Sequence, residues 1–252
     1  MKNKIFILPS IYILIMAIGM TIMHFGFGYI YGSSEMMKII FWVEILLSIF
    51  SIYAIKKYST WKQSGFDNLS LKGFLWILPS FLIMGFFSIL FLLNFKGPIS
   101  RENLFLITLT GITTLLVGFS EELMFRGIML NWSLKKYGRV KAILISSIGF
   151  SLLHSINILG GEPLGDVKAQ MISTLLFGLF AGVIALKLKN IIPLMILHFL
   201  WDFSIFSVTT LSVAGNISTE ILQPLLLQKA YEVFILIVVL IITLWGYFKR
   251  TD

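Results

Sequence analysis

Apolar runs broken by short polar turns follow one another from end to end of the chain, and each is close to the 20 or so residues that a membrane-crossing helix needs. Eight can be marked, at residues 5–30, 37–55, 73–95, 104–130, 140–159, 167–186, 191–211 and 231–248. The pattern predicts an all-α, polytopic membrane protein of about eight transmembrane helices. No repeat, low-complexity linker or soluble stretch interrupts it, so residues 1–252 are read as a single membrane domain. The first run starts as a signal peptide would, with Lys2 and Lys4 ahead of apolar residues. It continues well past an h-region and has no small-residue cleavage site, which makes it a retained first helix. Pro193 suits the first turn of the seventh helix, where a missing N–H costs nothing, and Gly160, Gly161, Pro163 and Gly165 mark a turn after the fifth. A short interfacial helix is expected within 218–228, ahead of the last run.

The charges between the runs give the chain a direction. From the N-terminus through the loops to the C-terminus the net charges are +2, 0, +3, +1, +4, −1, +2, −1 and +1. High and low values alternate, and the positive-inside rule then puts both termini in the cytoplasm. Composition fits this reading: the chain is 58% hydrophobic with only 13% charged residues, and its mean hydropathy is +0.93. A net charge of +8 might suggest nucleic acid, but the basic residues lie in loops between apolar runs, so no nucleic-acid partner is expected. With no cysteine, disulfides, thiolate metal sites and cysteine nucleophiles are excluded.

The ionisable residues left inside the runs are His24, Glu44, Glu121, Glu122, Arg126, His154, His198 and Asp202. A charge in the centre of a bilayer costs about 2.5 to 3.5 kcal/mol on insertion scales, so such residues are usually paired, functional or both. In the fourth run, Glu122 and Arg126 are four apart and can pair on one helix face, while Glu121 is turned about 100° away and left for another partner. Gly111, Thr114 and Gly118 make a stripe of small residues leading to Glu122, suited to close backbone approach or to a cavity. The plain alternative is that all three charges form a packing network. In the fifth run Phe150, His154 and Asn157 share a face, and in the seventh His198 and Asp202 are four apart. That spacing lets a carboxylate orient an imidazole, or lets both hold one metal ion. Depth from the assigned cytoplasmic ends brings Glu121, His154 and His198 together near mid-membrane or in the cytoplasmic half. His24 and Glu44 lack such neighbours and are read as packing or helix-to-helix hydrogen-bonding residues. Gly178 and Gly182 are read as a packing pair.

Together, Glu121-Glu122 with Arg126 (EExxxR), Phe150 with His154 (FxxxH), and His198 with Asp202 (HxxxD) resemble the CPBP family. These are the CAAX-protease and bacteriocin-processing intramembrane endopeptidases, also called ABI. The motifs occur in the family's order on three separate runs and define a core at residues 118–202. The resemblance implies an eight-helix membrane fold that cuts a peptide bond in a substrate reached from the cytoplasmic side. It implies that Glu121 is a general base activating water with the help of His154, that His198 and Asp202 stabilise the oxyanion, and that Glu122 and Arg126 hold the carboxylate. Phe150 and Asn157 accompany His154 on its helix. Zinc is the one cofactor the resemblance admits, with Glu121, His154 and His198 as a His₂Glu ligand set. Metal-independent activation of water is the slightly favoured reading. The expected partners are a peptide or membrane-protein substrate and the lipid bilayer. The compact form suits a bacterial cell membrane, where prenylated CAAX proteins are absent and a leader peptide, bacteriocin-type peptide or membrane protein would be cut. A non-catalytic scaffold or bacteriocin self-immunity protein is the alternative, and a proton-coupled transporter is a more distant one.

Overall fold

The computed structural model describes residues 4–248. The terminal charges Lys2, Lys249, Arg250 and Asp252, counted above, lie outside the described residues. Among those described there is no strand beyond a single antiparallel bridge between Phe66 and Asn190. The elements are α1 (Lys4–Thr21, extended by the π turn Ile22–Gly26), α2 (Met37–Tyr58), α3 (Leu71–Phe74), α4 (Leu78–Asn94) and α5 (Arg101–Glu122). A π-helical segment, Leu123–Leu130, joins α5 to α6 (Asn131–Tyr137), and then come α7 (Arg139–His154), α8 (Leu164–Leu188), α9 (Ile192–Val213) and α10 (Leu225–Phe248).

Seven helical stretches among the described residues are long and apolar enough to cross a membrane. The third predicted run, 73–95, is divided. Pro79, in the first turn of α4, has no N–H to continue a helix arriving from α3, so the chain restarts there. The 17 residues of α4 rise about 26 Å, somewhat less than a hydrocarbon core of about 30 Å. The fourth run is longer than predicted: Arg101–Tyr137 is a continuous helical stretch of 37 residues. Ser100 caps its start by accepting from the Asn103 N–H at 3.1 Å, with Glu102 in the first turn. Ahead of α10, the segment expected as an interfacial helix is a 3₁₀ turn, Thr219–Leu222.

The loops gather on two faces. On one, the Asp67 and Ser70 N–H groups donate to the carbonyls of Lys189 (3.2 Å) and Leu188 (2.9 Å), and Asn190 Nδ2 donates to the Asp67 carbonyl (2.9 Å). On the other, Lys96 and Asn216 exchange hydrogen bonds, both at 2.7 Å, and the Tyr31 N–H donates to Gly160 (2.8 Å). The loops of net charge +3 and +2 thus interlock at one end of the bundle. Loops with lower charge interlock at the other.

Close helix approach depends on small residues. A Cβ on Gly118 would stand 2.7 Å from the Met195 carbonyl oxygen and 3.0 Å from the Phe199 nitrogen of α9. One on Gly178 would stand 2.9 Å from Ser147 Cα of α7, which gives the Gly178 position its packing role. Because backbone cannot yield as a flexible side chain does, Gly118→Ala should cost about 1–3 kcal/mol, read as a lower unfolding midpoint in detergent. An unchanged midpoint would mean that α5 and α9 are free to separate.

Candidate active site

The end of α5 sets the site. Ser120, Glu121 and Glu122 occupy its last turn, and the helix then widens into eight π-helical residues, all buried. Runs of that kind are rare and concentrate at functional sites. They carry Arg126, the largest of the fully buried side chains. Its Nη1 donates to Glu122 Oε1 at 2.8 Å, and both side chains are fully buried. The guanidinium also lies 4.1 Å from the Phe150 ring centroid and 5.3 Å from that of Phe177, so aromatic faces supply part of the charge compensation that water cannot.

Glu122 has a second partner from α9. His198 Nδ1 donates to the same Oε1 at 3.1 Å. The ring's other nitrogen, Nε2, stands 3.4 Å from Asp202 Oδ2 and 3.8 Å from Glu121 Oε2. His198 is therefore held between carboxylates, and its ring edge packs against Phe150 and Phe177. Glu121 is buried, yet its Oε2 has no hydrogen-bond partner in the protein. On α7, His154 Nδ1 lies 3.0 Å from the Phe150 carbonyl. A carbonyl only accepts, so Nδ1 carries the proton and Nε2 keeps its lone pair.

These groups share one space. A cavity of about 540 Å³ is lined by Glu121, His154, His198 and Asp202, together with Phe150 and Asn157. Glu122 and Arg126 are absent from its lining and stand behind it, one layer back. Asn157 makes no bond to His154. Its Nδ2 donates to Gln170 Oε1 (2.7 Å), and Gln170 Nε2 donates to the Tyr31 hydroxyl (2.8 Å). Burial raises the pKa of that Tyr31 phenol, in the first loop, so it stays protonated.

Sequence reasoning missed part of the wall. Glu44, read as a packing residue, is fully buried and lines the same cavity. Ser120 Oγ donates to its Oε2 at 2.6 Å and is itself 2.6 Å from the Tyr12 hydroxyl of α1. Its status as an intramembrane carboxylate was the available signal. The partner lay 76 positions away, beyond any helical spacing. His24, by contrast, packs against Gly161 and donates from Nδ1 to the Tyr29 carbonyl at 3.2 Å. Lys229 at the start of α10 also reaches the cavity, with its ammonium 4.6 Å from the Trp201 ring and 3.2 Å from Glu232.

Among the described residues, no three His, Asp or Glu side chains are arranged to hold a metal ion. His198 has turned Nδ1 to Glu122, and His154 has turned Nδ1 to its own helix. Residues 102–204 match the family of Rce1-like type II CAAX prenyl endopeptidases. Searches of curated proteins and of solved structures gave no match.

Proposed function

With residues 102–204 forming an Rce1-like type II CAAX prenyl endopeptidase domain, we propose that the cavity hydrolyses a peptide bond in a membrane-associated peptide or protein. Glu121 is the general base. The observation that carries this is its Oε2, buried, unpartnered and facing a space shared with two histidines and a second carboxylate. A water between Glu121 and His154 gives its proton to Oε2 as its oxygen attacks the scissile carbonyl carbon, and His154 Nε2 accepts the water's other hydrogen bond. The oxyanion that forms is stabilised by Nε2–H of His198. Asp202, which as a carboxylate only accepts, aligns that ring, which donates from both nitrogens as an imidazolium with Nδ1–H held by Glu122. Glu121 then returns the proton to the leaving nitrogen as the C–N bond breaks. Glu122 and Arg126 position His198 through its Nδ1.

The substrate is to be found by comparing the peptides of cells carrying the wild-type chain and Glu121→Gln. With a substrate in hand, His198→Gln should lower kcat by about 10²–10³-fold, the usual cost of an oxyanion donor, while KM changes little. A raised KM with kcat unchanged would place His198 in binding instead. A zinc ion on Glu121, His154 and His198 is the rival scheme. Metal analysis of the purified protein separates the two, since stoichiometric zinc lost in His154→Ala would favour it. A scaffold or immunity protein would instead keep its cellular effect in a Glu121→Gln, His154→Ala double variant.

A further inference from the structure

The cavity lies in one half of the bundle. Its lining runs from Glu121 and His198 to Glu44 in the first half of α2, Gln170 near the start of α8, Thr209 near the end of α9, and Lys229 at the start of α10. At that end its lining includes Gly32 and Glu162, both half-buried, in the loops that meet through the bond from Tyr31 to Gly160. No residue of the loops 59–70, 131–138 or 189–191 lines it. On that side the space is closed by the fully buried pair Glu122 and Arg126 and by Leu123–Leu130, with Gly127 packed against the Ser64 carbonyl.

The closed end is the basic end. The loops there carry net charges of +3, +4 and +2, whereas those at the open end carry 0, +1, −1 and −1. Basic loops are retained in the cytoplasm. We propose that the site opens to the opposite, non-cytoplasmic side, so that its substrate is a peptide or membrane-protein segment that has already crossed the bilayer. The resemblance implies a cytoplasmic approach; the lining residues and the loop charges together point the other way. The wall from α1 and α2 carries Met16, Met20, Met37 and Ile40 beside Glu44, and flexible thioethers accommodate apolar side chains of varied shape. The substrate class is therefore an exported segment with apolar residues beside the scissile bond. The cleavage in this statement rests on the proposed hydrolase, but the sidedness does not.

The chain has no cysteine, which makes single-cysteine labelling clean. A membrane-impermeant maleimide is applied to intact cells expressing Glu162→Cys, Asp166→Cys, Thr209→Cys, Lys62→Cys or Lys135→Cys, before and after permeabilisation. Positions 162 and 166 mark the open end, 209 the cavity wall, and 62 and 135 the basic end; none has a part in the chemistry. Labelling of 162, 166 and 209 in intact cells, with 62 and 135 reacting only after permeabilisation, is the expected result. Labelling of 62 and 135 from outside with 162 protected overturns the proposal, as does a Thr209→Cys that reacts only after permeabilisation while 162 reacts before. No outcome depends on cleavage, so a failure of sidedness and a failure of the hydrolase reading stay distinct.

Discussion

Glu121→Gln is expected to reduce cleavage by about 10²–10⁴-fold, the range that a positioned general base contributes, while leaving the protein folded. The two halves of that expectation have separate physical grounds. An amide has the shape of the carboxylate but cannot take the proton from water, so chemistry is lost. Stability is retained because Glu121 Oε2 makes no hydrogen bond in the protein. His198 Nε2, across the site at 3.8 Å, is beyond hydrogen-bond reach, and His198 keeps Asp202 at 3.4 Å from Nε2 and Glu122 at 3.1 Å from Nδ1. Turnover of the substrate identified by peptide comparison, measured beside the unfolding midpoint in detergent, checks both. Wild-type turnover in folded Glu121→Gln would remove Glu121 from the mechanism and with it the proposed function.

The different settings of the two adjacent glutamates were legible in the sequence. The 100° between successive helical residues separates Glu121 from Glu122, and a spacing of four joins Glu122 to Arg126; the structure has both relations, one as an unpartnered oxygen and one as a 2.8 Å bond. The spacing of His198 and Asp202 carried over in the same way. Contacts between helices were not legible. Nothing local joins His198 to Glu122, Ser120 to Glu44, or Gln170 to Tyr31, because each bond depends on which helices become neighbours. Apolar stripes leave that undecided in a bilayer, where lipid solvates an apolar face as well as another helix does. The π-helical segment was hidden for a related reason: its residues, Leu123–Leu130, read as an ordinary apolar helix, and only packing decides the winding. The split of the third run is the opposite case, since Pro79 was visible and its consequence for helix continuity was underused.

Removing Arg126 should have the opposite profile to removing Glu121: a large loss of stability, with activity falling as a consequence. Truncating one member of a buried ion pair usually costs about 3–5 kcal/mol because the survivor keeps its charge without compensation. In Arg126→Ala that survivor is Glu122, fully buried, with His198 Nδ1 as its remaining partner. The packing against Phe150 and Phe177 is lost as well, so a cavity adds to the electrostatic cost. Arg126→Lys separates the contributions. It restores a charge but not the planar group that lies 4.1 Å from the Phe150 ring, so it should recover only part of the stability. The double variant Glu122→Gln, Arg126→Met removes both charges, and its loss should be smaller than the sum of the two single losses, as for any pair whose cost lies in the unpaired survivor. Unfolding midpoints of the wild type, Glu122→Gln, Arg126→Met and the double variant in one detergent give that cycle directly. Additive losses would mean that the pair does not interact, and His198 would then need another anchor to hold its Nε2 toward the cavity.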